Sequence, residues 1–314
     1  MKPLVSIICI TYNQAEYLSS CLDSIFSQQV DFQVELIIHD DASTDSTTEI
    51  ISQYIKKCPF QIKTILQKEN QYSKGIDIFS KYIYPKVEGK YIAICEGDDY
   101  WTDSRKLSIQ IKMLEANQSF SATAHQSTVI YEKENREHLF CLLRKNIIKM
   151  DDVMGNRIFH TASFVFRSDI IPLLSIDIIP FAYDRFLFLV CSFYGDIYYF
   201  YDNMCVYRKS EIGITSHITY QIHKRDLFVP KKLKEINSNF PYYRYMAYVN
   251  KAMLSSVDIS LWNYICHSVT FLFYSFSYFP RNIMDIYRWG YLTVWWMTKG
   301  RKFRMVSSQK LAHN

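Results

Sequence analysis

Short apolar runs alternate with amphipathic segments along the first third of the chain. The apolar runs are rich in β-branched residues, which predicts buried β-strands. They lie at residues 4–10, 32–39, 62–67 and 91–95. Between and after these runs, apolar residues recur at helical spacing and predict helices. The helices lie at residues 17–28, 45–57, 76–84 and 106–117. This alternation predicts an α/β fold with a Rossmann-like, mostly parallel central sheet flanked by helices.

The remainder of the chain is less regular. We predict a strand over 159–167, a helix over 183–193 and two further strands over 197–201 and 204–208. From Trp262 onward the sequence is rich in aromatic residues and predicts a helical C-terminal extension.

Polar loops follow three of the predicted strands. They are Thr11-Tyr12-Asn13, Asp40-Asp41 and the acidic segment from Glu96 to Asp99. In an open parallel sheet, ligands bind at the loops that leave the carboxyl ends of the strands. The three loops are therefore predicted to line one ligand site.

Composition narrows the classes of protein that fit. With 314 residues, 49% of them hydrophobic and 21% charged, the chain is long and apolar enough for one large domain plus a smaller appendage. The net charge of +5 forms no dense basic stripe, which argues against a nucleic-acid binder. Eight cysteines without a C-x-x-C pair predict buried free thiols. The first apolar run ends at Thr11-Tyr12-Asn13 and predicts no signal peptide, so we expect a cytoplasmic location.

The acidic loop carries the strongest candidate chemistry. Glu96 and Asp98 lie two residues apart at a strand end, where both carboxylates can turn toward one divalent cation. Mg²⁺ and Mn²⁺ favour carboxylate oxygens and keep open positions for phosphate. The alternative is an ordinary acidic turn before the helix that follows Trp101. The apolar strand ahead of the loop favours the metal site.

Two further side chains are of a type that can bind a nucleobase. The Tyr12 ring can stack on a base, and the Asp40 carboxylate can accept a hydrogen bond from the imide N–H of uracil. Simple packing of Tyr12 and a turn at Asp40 are the competing interpretations.

Three segments together resemble the family 2 glycosyltransferases of the GT-A fold, of the type that builds bacterial cell-surface polysaccharides. They are VSIICITYN at 5–13, ELIIHDDASTD at 35–45 and GKYIAICEGDDYW at 89–101. The resemblance is strong over about the first 115 residues and looser to about residue 215. It implies a GT-A domain over 1–215, with donor-binding (1–117) and acceptor-binding (118–215) parts, and a helical region over 216–314.

The resemblance also assigns roles on the donor side. Tyr12 would stack on the base, Asp40 would bind its imide, and Asp98 would be the principal ligand of Mn²⁺ or Mg²⁺, with Glu96 beside it. Glu96 replaces the aspartate usual at the first acidic position. The donor, with a UDP-sugar favoured, would be bound by a set of seven residues. This set is Thr11, Tyr12, Asn13, Asp40, Lys74, Gly97 and Asp98. For Lys74 a solvated surface lysine is the competing interpretation.

An inverting transfer needs a base for the acceptor hydroxyl. Asp184, at the start of a predicted helix, resembles the family's base; a helix cap is its alternative role, and His160 is the competing base. A saccharide or lipid-linked saccharide acceptor is expected to contact His160, Thr161, Asp99 and Trp101.

One departure from the family concerns the metal. Relatives often carry a histidine late in the domain, in a Tyr-Arg-x-His segment that completes the metal shell. Ser210 stands at that position here, so either water or His217 takes its place.

The C-terminal region predicts contact with a membrane surface. Residues 261–279 are apolar but interrupted by polar side chains, which is atypical of a spanning helix. Aromatic residues with flanking arginines and lysines suit interfacial helices on an anionic leaflet. Packing on a partner subunit is the alternative. We expect a peripheral protein on the inner face of the cell membrane.

Two other functions stay open at this point. A metal-dependent sugar nucleotidyltransferase would be expected to carry a glycine-rich, basic loop after the first strand, where this chain has Thr11-Tyr12-Asn13-Gln14. A non-catalytic nucleotide-sugar-binding scaffold is disfavoured by the retained Asp98, Asp99 and Asp184.

Overall fold

A computed structural model describes most of the chain. The described residues are 2–155, 157–176, 180, 182–209, 219–256, 258–276, 286, 287, 289, 290 and 293. The chain divides into two compact units, Met1–Ser216 and His217–Asn314.

The first unit contains ten strands and six α-helices in its described part. The strands are β1 (Val5–Thr11), β2 (Val34–Asp40), β3 (Gln61–Leu66), β4 (Tyr91–Ile94), β5 (Tyr100–Trp101), β6 (Phe120–Tyr131), β7 (Arg136–Leu139), β8 (Ile147–Ile148), β9 (Val165–Arg167) and β10 (Asp196–Lys209). The helices are α1 (Ala15–Phe26), α2 (Thr47–Ile55), α3 (Lys106–Ala116), α4 (Met150–Met154), α5 (Ile171–Leu174) and α6 (Tyr183–Tyr194).

All ten strands form one sheet in the order β3-β2-β1-β4-β9-β6-β10-β5, with β7 beside β6 and β8 beside β10. Strands β3, β2, β1 and β4 are mutually parallel, and a second, longer parallel ladder joins β6 to β10. The short strand β9 is antiparallel to both of its neighbours and connects these two parallel parts. Because most paired residues lie in parallel ladders, the predicted mostly parallel α/β sheet is confirmed.

Four predicted elements differ from the structure. The strand predicted over 159–167 begins only at Val165, because Thr161–Ser163 forms a 3-10 turn. That turn is closed by His160, whose Nδ1 accepts a hydrogen bond from the Ala162 N–H at 3.2 Å. A side chain that bonds nearby backbone in this way competes with strand pairing.

The helix predicted over 76–84 is a π-helical turn at Phe79–Ile83 followed by a 3-10 turn at Tyr84–Lys86. Asp77 Oδ1 accepts the Phe79 N–H at 3.0 Å, and Pro85 prevents the helix from continuing. The two strands predicted at 197–201 and 204–208 are one strand, β10, whose register shifts between Phe200 and Cys205.

Asp45 links the N-termini of helices α1 and α2 by hydrogen bonds. Its Oδ2 accepts the Ala15 N–H at 3.1 Å and its Oδ1 accepts the Thr47 N–H at 3.0 Å. These are the first residues of α1 and α2, whose N–H groups have no partner within their own helices. Asp45 precedes Ser46, the N-cap position of α2, and its carboxylate accepts a hydrogen bond at the start of both helices.

The second unit is helical in its described part. It contains α7 (Tyr220–Lys224), α8 (Val229–Ile236), α9 (Tyr242–Met253) and α10 (Leu261–Phe276). Among the described residues, no helix combines the length and apolar character needed to cross a membrane.

We predict that Asp45→Ala lowers the free energy of unfolding by about 1–2 kcal/mol, because it removes the acceptor for two helix N-termini. Asp45→Asn keeps one carbonyl acceptor and should lose about half as much. Urea unfolding of the three proteins measures the series. Equal stability of the alanine variant and the wild type would contradict the capping role.

Candidate active site

The three predicted loops lie side by side at one edge of the sheet. Strands β1, β2 and β4 are parallel, so their carboxyl ends point the same way. The ladders continue into the loops, since the Asp41 N–H donates to the Thr11 carbonyl at 3.0 Å and the Gly97 N–H to the Ile10 carbonyl at 2.9 Å. Backbone pairing thus fixes how the loops lie relative to one another.

The first two loops are locked together by Asn13. Its backbone is left-handed, with φ of 52°, and its Oδ1 accepts the Thr44 N–H at 2.7 Å. The Asn13 N–H donates to Ser43 Oγ at 2.9 Å. Tyr12, next to this link, keeps 45% of its surface exposed, which leaves its ring free to meet a planar ligand.

Asp40 and Asp41 are both buried and both hold backbone. The Asp40 carboxylate accepts the N–H of Ser43 at 3.0 Å and also its hydroxyl. Asp41 accepts the N–H groups of Gln71 and Tyr72 at 2.8 and 2.9 Å. Asp41 therefore brings the loop that contains Lys74 to the same edge.

Lys74 itself pairs with Glu69, and its side chain is half exposed. This pairing favours the surface interpretation over a phosphate contact.

Gly97 allows the acidic loop to lie against the first loop. A Cβ atom at this position would lie 2.6 Å from Gln14 Oε1 and 2.9 Å from Thr11 Oγ1. Contacts this short would force the Thr11 and Gln14 side chains to move, so glycine is the residue that allows this close approach without displacement. On either side of it, Glu96 and Asp98 are partly exposed, whereas Asp99 is fully buried.

Three carboxylates crowd this loop, and their pKa values are raised by burial and, for Glu96 and Asp99, also by neighbouring carboxylates. Burial, with the charge of Asp98 added, raises the pKa of Glu96 to about 7, and Arg157 partly opposes the shift. Burial also raises the pKa of Asp98 and of Asp99. Concentrated negative charge of this kind is what a divalent cation would neutralise.

Asp99 faces His160. The His160 Nδ1 lies 3.5 Å from Asp99 Oδ2, and the Asp99 Oδ1 accepts the Arg208 N–H at 3.1 Å. Since the lone pair of His160 Nδ1 already accepts the Ala162 N–H, Nδ1 carries no proton that it could donate to Asp99 Oδ2 across this gap. Asp99 Oδ2 is therefore left without a hydrogen-bond donor from His160, and a proton or a cation beside this oxygen would offset its charge.

A second ligand set follows from this contact. Glu96, Asp99 and His160 offer ligand atoms that all lie within 4.8 Å of one another. Within the described part of the chain, Asp99 Oδ2 and His160 Nε2 are buried without a hydrogen-bond partner. The ligands predicted from sequence are Glu96 and Asp98, so Glu96 is common to both sets.

Asp184 lies in the first turn of α6 and is paired with Arg157. The Arg157 Nε lies 2.5 Å from Asp184 Oδ2, and the guanidinium packs near the rings of Phe140 and Tyr207. Burial acts to lower the pKa of Arg157, but the charge of Asp184, with those of Glu96 and Asp99 added, raises it overall. The N-cap position of α6 is Ala182, so Asp184 is not that cap.

The four residues predicted to contact the acceptor are all buried. Their exposed fractions are 0% for Asp99 and His160, 4% for Trp101 and 5% for Thr161. The Trp101 indole N–H donates to the Ala162 carbonyl at 2.9 Å, and the Thr161 hydroxyl accepts from Arg157. This burial favours roles behind the site over the predicted acceptor contacts. Ser210 and His217 lie outside the described residues.

Arg157 and Arg208 are site residues that the sequence did not reveal. The Arg208 guanidinium donates to the Asp98 carbonyl at 3.1 Å and lies 4.5 Å from the centre of the Tyr100 ring. The sequence points to Arg208 as a site residue only through its place in the Tyr207-Arg208 segment. Nothing in the sequence points to Arg157.

The family assignment rests on a match over more than half of the chain. The sequence profile of Glycosyl transferase family 2 matches residues 6–170, which include all three loops and Arg157. The chain belongs to this family. Membership disfavours the nucleotidyltransferase alternative.

Relatives of this family 2 glycosyltransferase occur in bacteria. It is 36% identical over 214 residues to an uncharacterised protein of Mycobacterium tuberculosis, covering 67% of this chain and 60% of that protein. It therefore spans only about 60% of the length of the mycobacterial relatives. An Escherichia coli UDP-Glc:alpha-D-GlcNAc-diphosphoundecaprenol beta-1,3-glucosyltransferase is 34% identical over 117 residues, covering 37% of this chain and 43% of the enzyme.

Solved structures share the fold. Staphylococcus aureus TarS residues 1–349, in complex with UDP-GlcNAc, align with a TM-score of 0.65 and 16% identity over 85% of this chain and 79% of TarS. The mannosyltransferase PcManGT of Pyrobaculum calidifontis, in complex with GDP-Man and Mn²⁺, aligns with a TM-score of 0.52 and 16% identity, covering 98% of this chain and 84% of that one.

We predict that Gly97→Ala lowers stability by about 1–3 kcal/mol and weakens donor binding, because the added methyl group forces the acidic loop away from Thr11. Gly155→Ala is the matched control, since a Cβ there meets nothing within 4 Å. Thermal unfolding and donor titration measure both variants. If the two behave alike, the close approach of the loops is unimportant.

Proposed function

We propose that this chain transfers a sugar, with inversion, from a nucleotide sugar to a saccharide or lipid-linked saccharide acceptor in cell-surface polysaccharide synthesis. A UDP-sugar is the favoured donor. The observation that carries the proposal is the convergence of the Tyr12 loop, the Asp40 loop and the acidic loop at one sheet edge. The Arg157–Asp184 pair interacts electrostatically with that acidic loop.

On the donor side, three features support the proposal. The exposed Tyr12 ring is available for stacking, and Asn13 and Gly97 hold its loop against the acidic loop. Asp40 is rigidly placed by Ser43 and is proposed to accept the uracil imide N–H. The neighbouring Thr11 hydroxyl is buried and, within the described residues, has no partner of its own.

The acidic loop is suited to Mn²⁺ or Mg²⁺, because its carboxylates repel one another and two buried polar atoms beside them lack partners in the described structure. We propose Glu96 and Asp98 as the ligands, since both are partly exposed and can meet a diphosphate. When bound, the cation would offset negative charge on the departing diphosphate. Asp99 and His160 would then form the layer behind the metal.

For the acceptor step, Asp184 is the proposed base. Its carboxylate would take the proton of the acceptor hydroxyl as that oxygen bonds to the anomeric carbon and the bond to the diphosphate breaks. Arg157 fixes the Asp184 carboxylate by their ion pair. His160 suits this task less well, because burial and the nearby Arg157 charge lower its pKa well below the usual range and its ring is fully buried.

The acceptor class is proposed from a relative. The Escherichia coli enzyme is named for a diphosphoundecaprenol-linked acceptor. We propose a similar lipid-linked saccharide here, with the chain held peripherally at the inner face of the cell membrane.

We predict that Mn²⁺ together with a matching UDP-sugar stabilises the protein by about 2.7 kcal/mol at one hundred times the dissociation constant. Glu96→Gln and Asp98→Asn should lose the Mn²⁺-dependent part. Thermal unfolding with UDP-GlcNAc, UDP-Glc, UDP-Gal and GDP-Man measures this.

Two results would change the assignment. A response to GDP-Man alone would remove the uridine roles of Tyr12 and Asp40. Loss of the Mn²⁺ effect in Asp99→Asn, with a normal effect in Asp98→Asn, would move the cation to the set formed by Glu96, Asp99 and His160.

We predict that Asp184→Asn lowers the transfer rate by about 10²–10⁴-fold while donor affinity changes less than about twofold. The rate is measured per folded enzyme, since the variant leaves Arg157 without its anionic partner. His160→Gln is the comparison for the competing base. Retained turnover in Asp184→Asn with loss in His160→Gln would reassign the base to His160.

A further inference from the structure

Helix α10 has one face that is buried against the rest of the second unit. Tyr264, Ser268, Phe271 and Ser275 recur at helical spacing and are buried within the second unit. The Ser268 hydroxyl accepts the Trp289 indole N–H at 3.2 Å. The Tyr264 hydroxyl lies 3.1 Å from the Thr293 hydroxyl, so described residues beyond α10 pack on this side.

The opposite side of α10 is apolar and faces solvent. We call this the apolar face of α10, and it consists of Trp262, Ile265, Cys266, Val269, Phe273 and Phe276. Trp262 and Phe273 are 73% and 71% exposed. No Lys, Arg, Asp or Glu occurs anywhere in the helix. The face runs for about 21 Å along the helix axis.

An exposed apolar surface of this size is normally covered by a binding partner or a membrane when the protein functions. A helix of 16 residues is about 24 Å long, shorter than the ~30 Å hydrocarbon core of a bilayer. With one buried and one exposed apolar face, α10 has the character of a helix that lies in a membrane surface.

Charge indicates which occupant fits. The segment 217–314 carries fourteen lysines and arginines against four aspartates and glutamates, a net charge of +10. Residues 1–216 carry 22 against 27, a net charge of −5. Two copies of the +10 unit would repel each other, whereas an anionic leaflet attracts juxtaposed lysines and arginines by about 1 kcal/mol each.

We propose that the apolar face of α10 inserts into the interfacial layer of an anionic phospholipid membrane. This extends the proposed function, since it would hold the enzyme beside a lipid-linked acceptor. Trp262, Phe273 and Phe276 bury their rings among the acyl chains near the headgroups, and the basic residues of the second unit bind anionic headgroups.

The test is flotation of the full chain with vesicles of phosphatidylcholine, with and without phosphatidylglycerol. We expect binding to the anionic vesicles, weakened by high sodium chloride. The double variant Trp262→Ser and Phe273→Ser should reduce that binding by at least about tenfold, because it removes two large apolar side chains that would insert into the membrane. Leu142→Ser is the matched control, since Leu142 is 78% exposed but lies in the first unit, and it should bind like the wild type.

Three outcomes would overturn the inference. They are no binding to anionic vesicles, equal binding by the double variant, and a wild-type dimer in light scattering that the double variant converts to monomer. The last would make the face a contact between two copies. Donor binding is measured on the same variants. If donor binding persists while membrane binding fails, this inference and the proposed membrane location fall, and the proposed sugar transfer stands.

Discussion

Mutual repulsion among carboxylates at one sheet edge is the constraint on which the site depends. Glu96, Asp98 and Asp99 are consecutive or nearly so, and the charge of Asp184 also acts on Glu96. In surroundings of reduced polarity, each unbalanced charge costs several kcal/mol. Arg157 and Arg208 supply the described structure's positive charge beside these carboxylates. Burial, with the charges of Asp98 and Glu96 added, raises the pKa of Asp99 well above its usual range, and a further cation would offset these charges.

The fold withstands that repulsion because backbone bonds hold the loops. The ladders of β1 with β2 and β4 run into the loops through Asp41 and Gly97. The side-chain oxygens of Asp41, Asn13 and Asp45 also accept hydrogen bonds from backbone N–H groups of neighbouring segments. Such bonds fix the edge without relying on a ligand, so the donor side is preorganised.

These local features explain what could be predicted from sequence. A strand and the loop after it are adjacent in the chain, so the hydrophobic period alone is enough to place Tyr12, Asp40 and Glu96 at one edge. Arg157 and Arg208 lie far from the acidic loop in sequence and approach it only when β9 and β10 join the sheet. The buried turn at His160 could not be predicted because a side-chain hydrogen bond, not the apolar pattern, decides its backbone.

The two units carry opposite net charges, and the whole-chain value of +5 conceals this. Their electrostatics also respond differently to salt. At physiological ionic strength exposed charges are screened beyond about 8 Å, whereas charges in buried surroundings, such as those of the acidic loop, are screened much less. Monovalent salt would therefore weaken membrane binding by surface lysines and arginines. It would have much less effect on the binding of a divalent cation by the acidic loop. Membrane attachment and cation binding are thus physically separable in one chain, the first by ionic strength and the second by removing the divalent ion.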